Sequence, residues 1–176
     1  MSTVESPALV AETALAAETE PVRVVESPAL VASGDAVSVW ASSVLVAEHG
    51  PDPLVDALYV ATTEAGAQES LAFWAAARAT GFAFAAPGAF PYTLANAPAG
   101  RIATALGIRG PSVTLLGSFA DARSAAADDL ADGLCTRPLV LHLDPTTRTT
   151  TLPAPPTPWR LTSTILTLEG PPSAGR

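Results

Sequence analysis

The stretch GPSVTLLGSFADA, from Gly110 to Ala122, is where chemistry would first be expected in this sequence. An apolar run ends at Gly117-Ser118 and a helix-like stretch follows, which predicts a sharp turn from a strand into a helix. Many α/β enzymes hold a nucleophile in such an elbow. Here the elbow carries Phe119, whose benzyl group can neither attack a carbonyl carbon nor accept a proton. Either the functional site lies elsewhere, or the chain has no catalytic site.

A second candidate is the pair His142 and Asp144 in the apolar stretch PLVLHLD. Residues two apart on a strand point to the same face of the sheet, so the imidazole and the carboxylate would lie on one face. The apolar neighbours of His142 favour a buried, hydrogen-bonded imidazole, and a His-Asp pair could also form an active site. The sequence places no nucleophile beside this pair, so both interpretations stay open.

His49 and Cys135 fit structural roles better than chemical ones. His49 lies in a Gly/Pro turn beside Glu48 and Asp52, where a surface histidine is expected more often than a metal ligand or a base. Cys135 follows a predicted helix end, whereas a reactive thiol needs a helix N-terminus or a cationic neighbour. With one cysteine and no lysine, the chain can form neither an internal disulfide nor a Schiff base. We predict no metal and no cofactor.

The composition indicates a domain that buries part of its surface against another chain. The 176 residues are 48% hydrophobic with a mean hydropathy of +0.32, and only 15% are charged, against about 25% in an average soluble protein. The net charge of -8 argues against nucleic acid as a partner. No signal peptide or membrane span is apparent, so we expect no membrane partner and a cytoplasmic protein.

The predicted elements from Asp35 onward alternate between strands and helices. The predicted strands are 37–46, 57–63, 112–117, 138–144 and 160–168. The predicted helices are 64–80, with Leu71, Phe73, Trp74 and Ala77 on its apolar side, 96–106, capped by Asn96, and 120–130, with Asp128, Asp129 and Asp132 facing solvent. This order predicts an α/β fold with a mainly parallel sheet, covered by helices and ending in an antiparallel edge.

The first 34 residues contain an internal duplication, because VESPALVA occurs at 4–11 and again at 25–32. The segment between the copies could be a helix or a flexible tether. A solvated low-complexity tail is the simpler interpretation of residues 1–34. A doubled docking motif that adds a strand or helix to a partner is the alternative.

The run FPYTLANAPAGRIATALGIRGPSVTLLGSFADA, residues 90–122, resembles the segment of β-ketoacyl synthases and chain-length factors that leads into the active-site cysteine. The matching residues are Asn96, Ala99, Gly100, Ile102, Ala103, Gly107, Gly110, Pro111, Ser112 and Thr114. RPLVLHLD and WRLTSTILTLEG resemble the next strands of that family. The resemblance covers residues 35–170 and implies one half of a thiolase/ketosynthase-type fold, with a five-stranded mixed sheet and a tail at 171–176.

The resemblance also implies that the catalytic nucleophile is absent, because the family's cysteine falls on Phe119. The family's remaining catalytic residues belong to its C-terminal half, which residues 35–170 do not resemble. In the full fold the two halves pack through Ala-rich helices. We therefore expect the face carrying Ala122, Ala125, Ala126 and Ala127 to be an interface. Phe119, Asn96 and Pro111 are further interface or tunnel candidates.

Two functions from different classes follow from this resemblance. The first is an inactive chain-length-factor-like subunit of a type II polyketide or fatty-acid synthase, with an active ketosynthase or chain-length factor as partner and an acyl carrier protein as a further candidate. The second is an enzyme that acts on carrier-protein-bound substrates through His142 and Asp144. A self-associating structural protein, in which two copies rebuild the two-half arrangement, is a weaker alternative.

Overall fold

The computed structural model describes residues 17–27, 34–50, 54–64, 66–146 and 158–168. The elements in chain order are β1 Ala17–Thr19, β2 Arg23–Glu26, α1 Gly34–His49, β3 Ala57–Thr62, α2 Ala67–Thr80, 3-10 helices Phe82–Phe84 and Pro87–Thr93, α3 Ala97–Ala105, β4 Ser112–Leu116, α4 Phe119–Ala131, β5 Pro138–Pro145 and β6 Trp159–Leu168. Among these residues no helix is both long and apolar enough to cross a membrane.

The described strands form one mixed sheet in the order β1-β6-β5-β3-β4. Strand β3 lies between β4 and β5 and is parallel to both, whereas β6 is antiparallel to β5. β1 and β2 both pair with β6 and share its outer edge, so six strands occupy five positions across the sheet. The α/β class and the mixed five-position sheet predicted from the sequence are therefore confirmed, but β6 is not the edge strand.

The predicted strand over 37–46 is wrong, because these residues form helix α1. Val37, Ala41 and Leu45, four residues apart, are fully buried against the sheet and share a core cluster with Leu58. A buried strand would require Val39 to share their side, yet Val39 is 57% exposed. Burial of every fourth residue is the pattern expected of a helix on a sheet. Packing of this face therefore outweighs the preference of the valines for a strand.

The two faces of the sheet are covered by different helices. Leu139, Leu141 and Leu143 of β5 point to α1 and α3. Val140 points to the opposite face, where α4 packs on β3 and β5. This alternation follows from the period of two along a strand. Tyr59 of β3 lies on the α4 face and donates a hydrogen bond to the carboxylate of Asp129.

Helix α2 begins three residues later than predicted and lies away from the sheet core. Of its predicted apolar side only Ala77 is buried, while Leu71 and Trp74 are 43% and 53% exposed. Trp74 instead packs edge-on against Phe82, and Phe73 against Phe90. The segment Pro87–Thr93 forms a 3-10 helix. Helix α2 and these 3-10 turns leave an apolar surface exposed, here called the α2 apolar surface: Leu71, Trp74, Phe82, Phe84, Phe90 and Leu94.

The described part of the segment between the two VESPALVA copies, residues 17–24, contributes two short edge strands and not the helix or tether expected. β1 pairs with the C-terminal end of β6 and β2 with its N-terminal half. Pro21 and Val22 lie opposite Thr164, because Glu20 bonds to Ile165 and Arg23 pairs with Ser163. Two residues opposite one make a β-bulge, a position that tolerates proline. The first copy lies outside the described residues, and of the second copy Val25–Ser27 are described.

Candidate functional site

The carboxyl ends of β3, β4 and β5 meet at one edge of the sheet, where open α/β sheets bind ligands. Strand β4 ends at Leu116, and Gly117-Ser118-Phe119 turns the chain into α4. The Gly117 amide donates a hydrogen bond to the Thr62 carbonyl at 3.2 Å. The elbow predicted from the sequence is therefore present and is joined to the end of the neighbouring strand.

A capping box holds this elbow in shape. The Ser118 amide and hydroxyl each donate to Asp121 Oδ2 at 2.7 Å, and the Asp121 amide donates back to Ser118 Oγ at 3.3 Å. The hydrogen bonds from Ser118, first from its amide and then from its hydroxyl, lower the pKa of Asp121. A Cβ on Gly117 would lie 2.7 Å from Asp121 Oδ2. The Ser118 hydroxyl is thus used as a helix cap.

Phe119 is the first residue of α4. Its ring is half-buried and packs against the apolar cluster between α4 and the sheet. The side chain that follows the capping serine therefore brings bulk to the elbow but no nucleophilic or basic atom.

Beside the elbow, Asp144 connects the ends of β3 and β5. Its carboxylate accepts hydrogen bonds from the Thr63 amide at 2.7 Å, the Thr63 hydroxyl at 2.6 Å and the Thr62 hydroxyl at 3.1 Å. His142 Nε2 lies 3.4 Å from Asp144 Oδ2. Burial raises the pKa of Asp144, but hydrogen bonds from His142 and Thr63 outweigh burial and lower it to about 2.

This arrangement limits what Asp144 can do chemically. A carboxylate with so low a pKa is a weak base at neutral pH, and its oxygens already accept several hydrogen bonds. Asp144 therefore orients His142 and fixes the end of β3.

The predicted alanine interface is corrected by the structure. Ala122 and Ala126 are fully buried against the chain's own sheet, and Ala125 and Ala127 are half-buried against the same cluster. Alanine at these positions lets α4 pack closely on β3 and β5. The exposed side of α4 instead carries Ala120, Asp121, Arg123, Ser124, Asp128, Ala131 and the following Asp132.

Asn96 and Pro111 do not join Phe119. Asn96 stands at the N-cap position of α3, but its side chain makes no capping hydrogen bond among the described residues. It lines a groove of about 1010 Å³ between α1 and α3, in which Arg101 lies 5.0 Å from the Tyr92 ring centre. Pro111 precedes β4, at the opposite end of that strand from the elbow. Five strand residues separate the two ends by roughly 17 Å.

Three polar contacts were not predicted from the sequence. Thr62 and Thr63 reach Asp144 across 81 or 82 residues of chain. Asp129, expected to face solvent, accepts the Tyr59 hydroxyl. Asp56 accepts hydrogen bonds from the Thr136 amide and hydroxyl, each at 2.7 Å, at the amino end of the sheet. The two adjacent threonines at the end of β3 were the only local sequence signal for any of these contacts.

Two solved structures have a fold similar to that of this chain. No family model and no curated protein matches the sequence. A solved structure, "The ishigamide ketosynthase/chain length factor", matches 80% of this chain and 44% of that chain, with 18% identity and a TM-score of 0.55. The structure of the ketosynthase ApeO in complex with its chain length factor ApeC, from Xenorhabdus doucetiae, matches 80% of this chain and 59% of that chain. The identity is 13% and the TM-score is 0.58.

The chain thus has part of a ketosynthase-type fold, as the resemblance of residues 90–122 predicted. It spans 44% and 59% of the two solved chains it matches.

Proposed function

We propose that this chain is a catalytically inactive, chain-length-factor-like subunit of a polyketide or fatty-acid synthase, which acts by binding an active ketosynthase. The observation that carries the proposal is the elbow itself. Its position for a nucleophile is taken by Phe119, and its hydroxyl, on Ser118, is held by Asp121 as a cap. Such an elbow can shape a site for an acyl chain but cannot be acylated.

The surface proposed to meet the partner combines β4 with the α2 apolar surface. Among the described strands β4 is an edge strand with one neighbour in the sheet, and Leu116 at its end is 76% exposed. Thr114 Oγ1 is buried and has no hydrogen-bond partner among the described residues. An edge strand with an exposed apolar side chain favours addition of another strand. Large exposed apolar patches are typical of protein interfaces.

The experiment is co-expression of the full chain with the active ketosynthase pair from the same genome, followed by native mass spectrometry. A stoichiometric complex is expected, and Leu116→Arg or Trp74→Arg should abolish it. The matched control is Val24→Arg, because Val24 is also exposed and apolar but lies at the other edge of the sheet. A homo-oligomer that ignores the ketosynthase would refute the proposal and favour the self-associating alternative.

A second candidate function rests on the 3.4 Å contact between His142 and Asp144. In that case the chain alone would turn over acyl groups bound to a carrier protein, with His142 as the base. His142→Ala should abolish the turnover and His49→Ala should leave it unchanged. Absence of turnover by the purified chain would exclude this candidate.

A further inference from the structure

The first three residues of the second VESPALVA copy lie against three consecutive residues of β6. Val25 pairs with Leu161, and Glu26 pairs with Arg160, whose guanidinium donates to the Glu26 carboxylate at 2.6 and 3.0 Å. The Ser27 amide donates to the Trp159 carbonyl at 2.8 Å, and Ser27 Oγ accepts from the Trp159 amide at 3.0 Å. Backbone pairing, an ion pair and a buried hydroxyl thus all contribute to one short docking contact.

The first copy carries the same docking residues in the same order, Val4, Glu5 and Ser6. The residue before the copy differs, with Thr3 in place of Val24. Val24 is exposed, so this difference falls on a side chain that adds no buried contact to the docking site.

We propose that Val4–Ser6 can replace Val25–Ser27 at the edge of β6 within one molecule, so that the chain carries two interchangeable edge segments for one docking site. When the first copy occupies the edge of β6, β2 leaves the sheet and the chain is drawn away from the position of β1. The outer edge of β6 beyond Ser163 then becomes available to another strand. This inference does not depend on the proposed function.

The length of the connection to α1 sets which copy is preferred. Residues 28–33, six in number, connect Ser27 to Gly34, whereas residues 7–33, 27 in number, would connect Ser6 to Gly34. The probability of closing a flexible loop falls with the 3/2 power of its length, which favours the second copy about tenfold. The pairs of β1 with β6 would also be lost. The second copy is therefore the one expected at the edge until it is weakened.

Disulfide trapping in the full chain tests the exchange. In a Cys135→Ala background, Arg160→Cys is combined with Glu5→Cys to report the first copy. Glu26→Cys with Arg160→Cys is the positive control, because residues directly opposed on paired strands lie within disulfide reach. Glu12→Cys with Arg160→Cys is the matched control, since Glu12 follows the first copy directly and falls out of register. The rate of intramolecular cross-linking is measured by mass under non-reducing conditions.

The 5–160 pair should cross-link within single molecules and faster than the 12–160 pair. Adding Val25→Asp, which weakens the second copy, should raise the 5–160 rate by at least about tenfold and leave the 12–160 rate unchanged. Equal rates for the two pairs, or cross-links that form only between molecules, would overturn the proposal. If Val25→Asp unfolds the chain, the proposal is tested by the ratio of the 5–160 to the 12–160 cross-linking rate in the chain without Val25→Asp. A ratio near one overturns the proposal.

Discussion

Replacing Asp144 by asparagine should remove the charge that joins β3 to β5. The side chain is 15% exposed and accepts three hydrogen bonds from Thr62 and Thr63, with His142 beside it. In Asp144→Asn the amide group cannot accept at both of its terminal atoms, so at least one donor at the end of β3 is left without its partner. The variant should fold to the same structure with a smaller free energy of unfolding.

The magnitude follows from the pKa of Asp144, which is lowered from 3.8 to about 2 in the folded chain. Each unit of pKa difference between folded and unfolded states corresponds to about 1.4 kcal/mol, so the ionised carboxylate contributes about 2 kcal/mol at neutral pH. A lowered pKa stabilises the folded state above the unfolded value and loses this effect as the pH falls through the folded value. The contribution should therefore be nearly complete at pH 5 and fall to about 1 kcal/mol at pH 3.

The assay is urea unfolding followed by tryptophan fluorescence, with the free energies of unfolding of Asp144→Asn and the unaltered chain compared from pH 7 to pH 3. Taking the difference at each pH cancels the titration of the other carboxylates. Asp128→Asn is the matched control for the substitution itself, because Asp128 is exposed on α4. A difference for Asp144→Asn that stays constant over this range, or that is below about 0.5 kcal/mol at pH 7, would refute the electrostatic account.

Three further predictions concern the elbow, the amino end of the sheet and the α4 face. Phe119→Cys should be alkylated by iodoacetamide faster than Cys135, because a helix N-terminus lowers a thiol's pKa whereas burial raises the pKa of Cys135; equal rates would contradict this. Gly110→Ala should cost at least about 2 kcal/mol of unfolding free energy, since its Cβ would lie 2.1 Å from a backbone carbonyl oxygen, whereas Gly88→Ala, with open space, should not. Tyr59→Phe should lower the free energy of unfolding by about 1 kcal/mol, measured by urea unfolding, because its hydrogen bond to α4 is lost; an unchanged value would show that this bond contributes nothing.

The parallel core of the sheet could be predicted because each of its strands is a short apolar run between turn residues. The segments 57–62, 112–116 and 138–145 all became strands close to their predicted bounds. The first helix was missed because its valines suggested a strand. What identifies the helix is burial of Val37 and Ala41 together with exposure of Val39, and burial depends on packing against a sheet that is distant in sequence.

The side of α4 that faces the sheet could not be predicted for a different reason. Alanine occurs around most of this helix, so the sequence shows little contrast between an apolar and a polar side. The cluster around Asp144 could not be predicted because it depends on the register of β3 against β5, which sets Ala61 opposite His142. That register is fixed by tertiary pairing and not by either strand alone.

The same correction changes which surface is expected to bind a partner. The exposed side of α4 carries Arg123, Asp121 and Asp128, and burying charged groups in an interface costs free energy unless each is paired. The α2 apolar surface and the end of β4 carry large exposed apolar side chains, with Arg78 beside Leu71 and Trp74, and burial of the apolar side chains is favourable. Arg123→Ala should therefore weaken binding to a ketosynthase less than Trp74→Ala does. The opposite order would indicate that the exposed side of α4 is the surface that binds the ketosynthase.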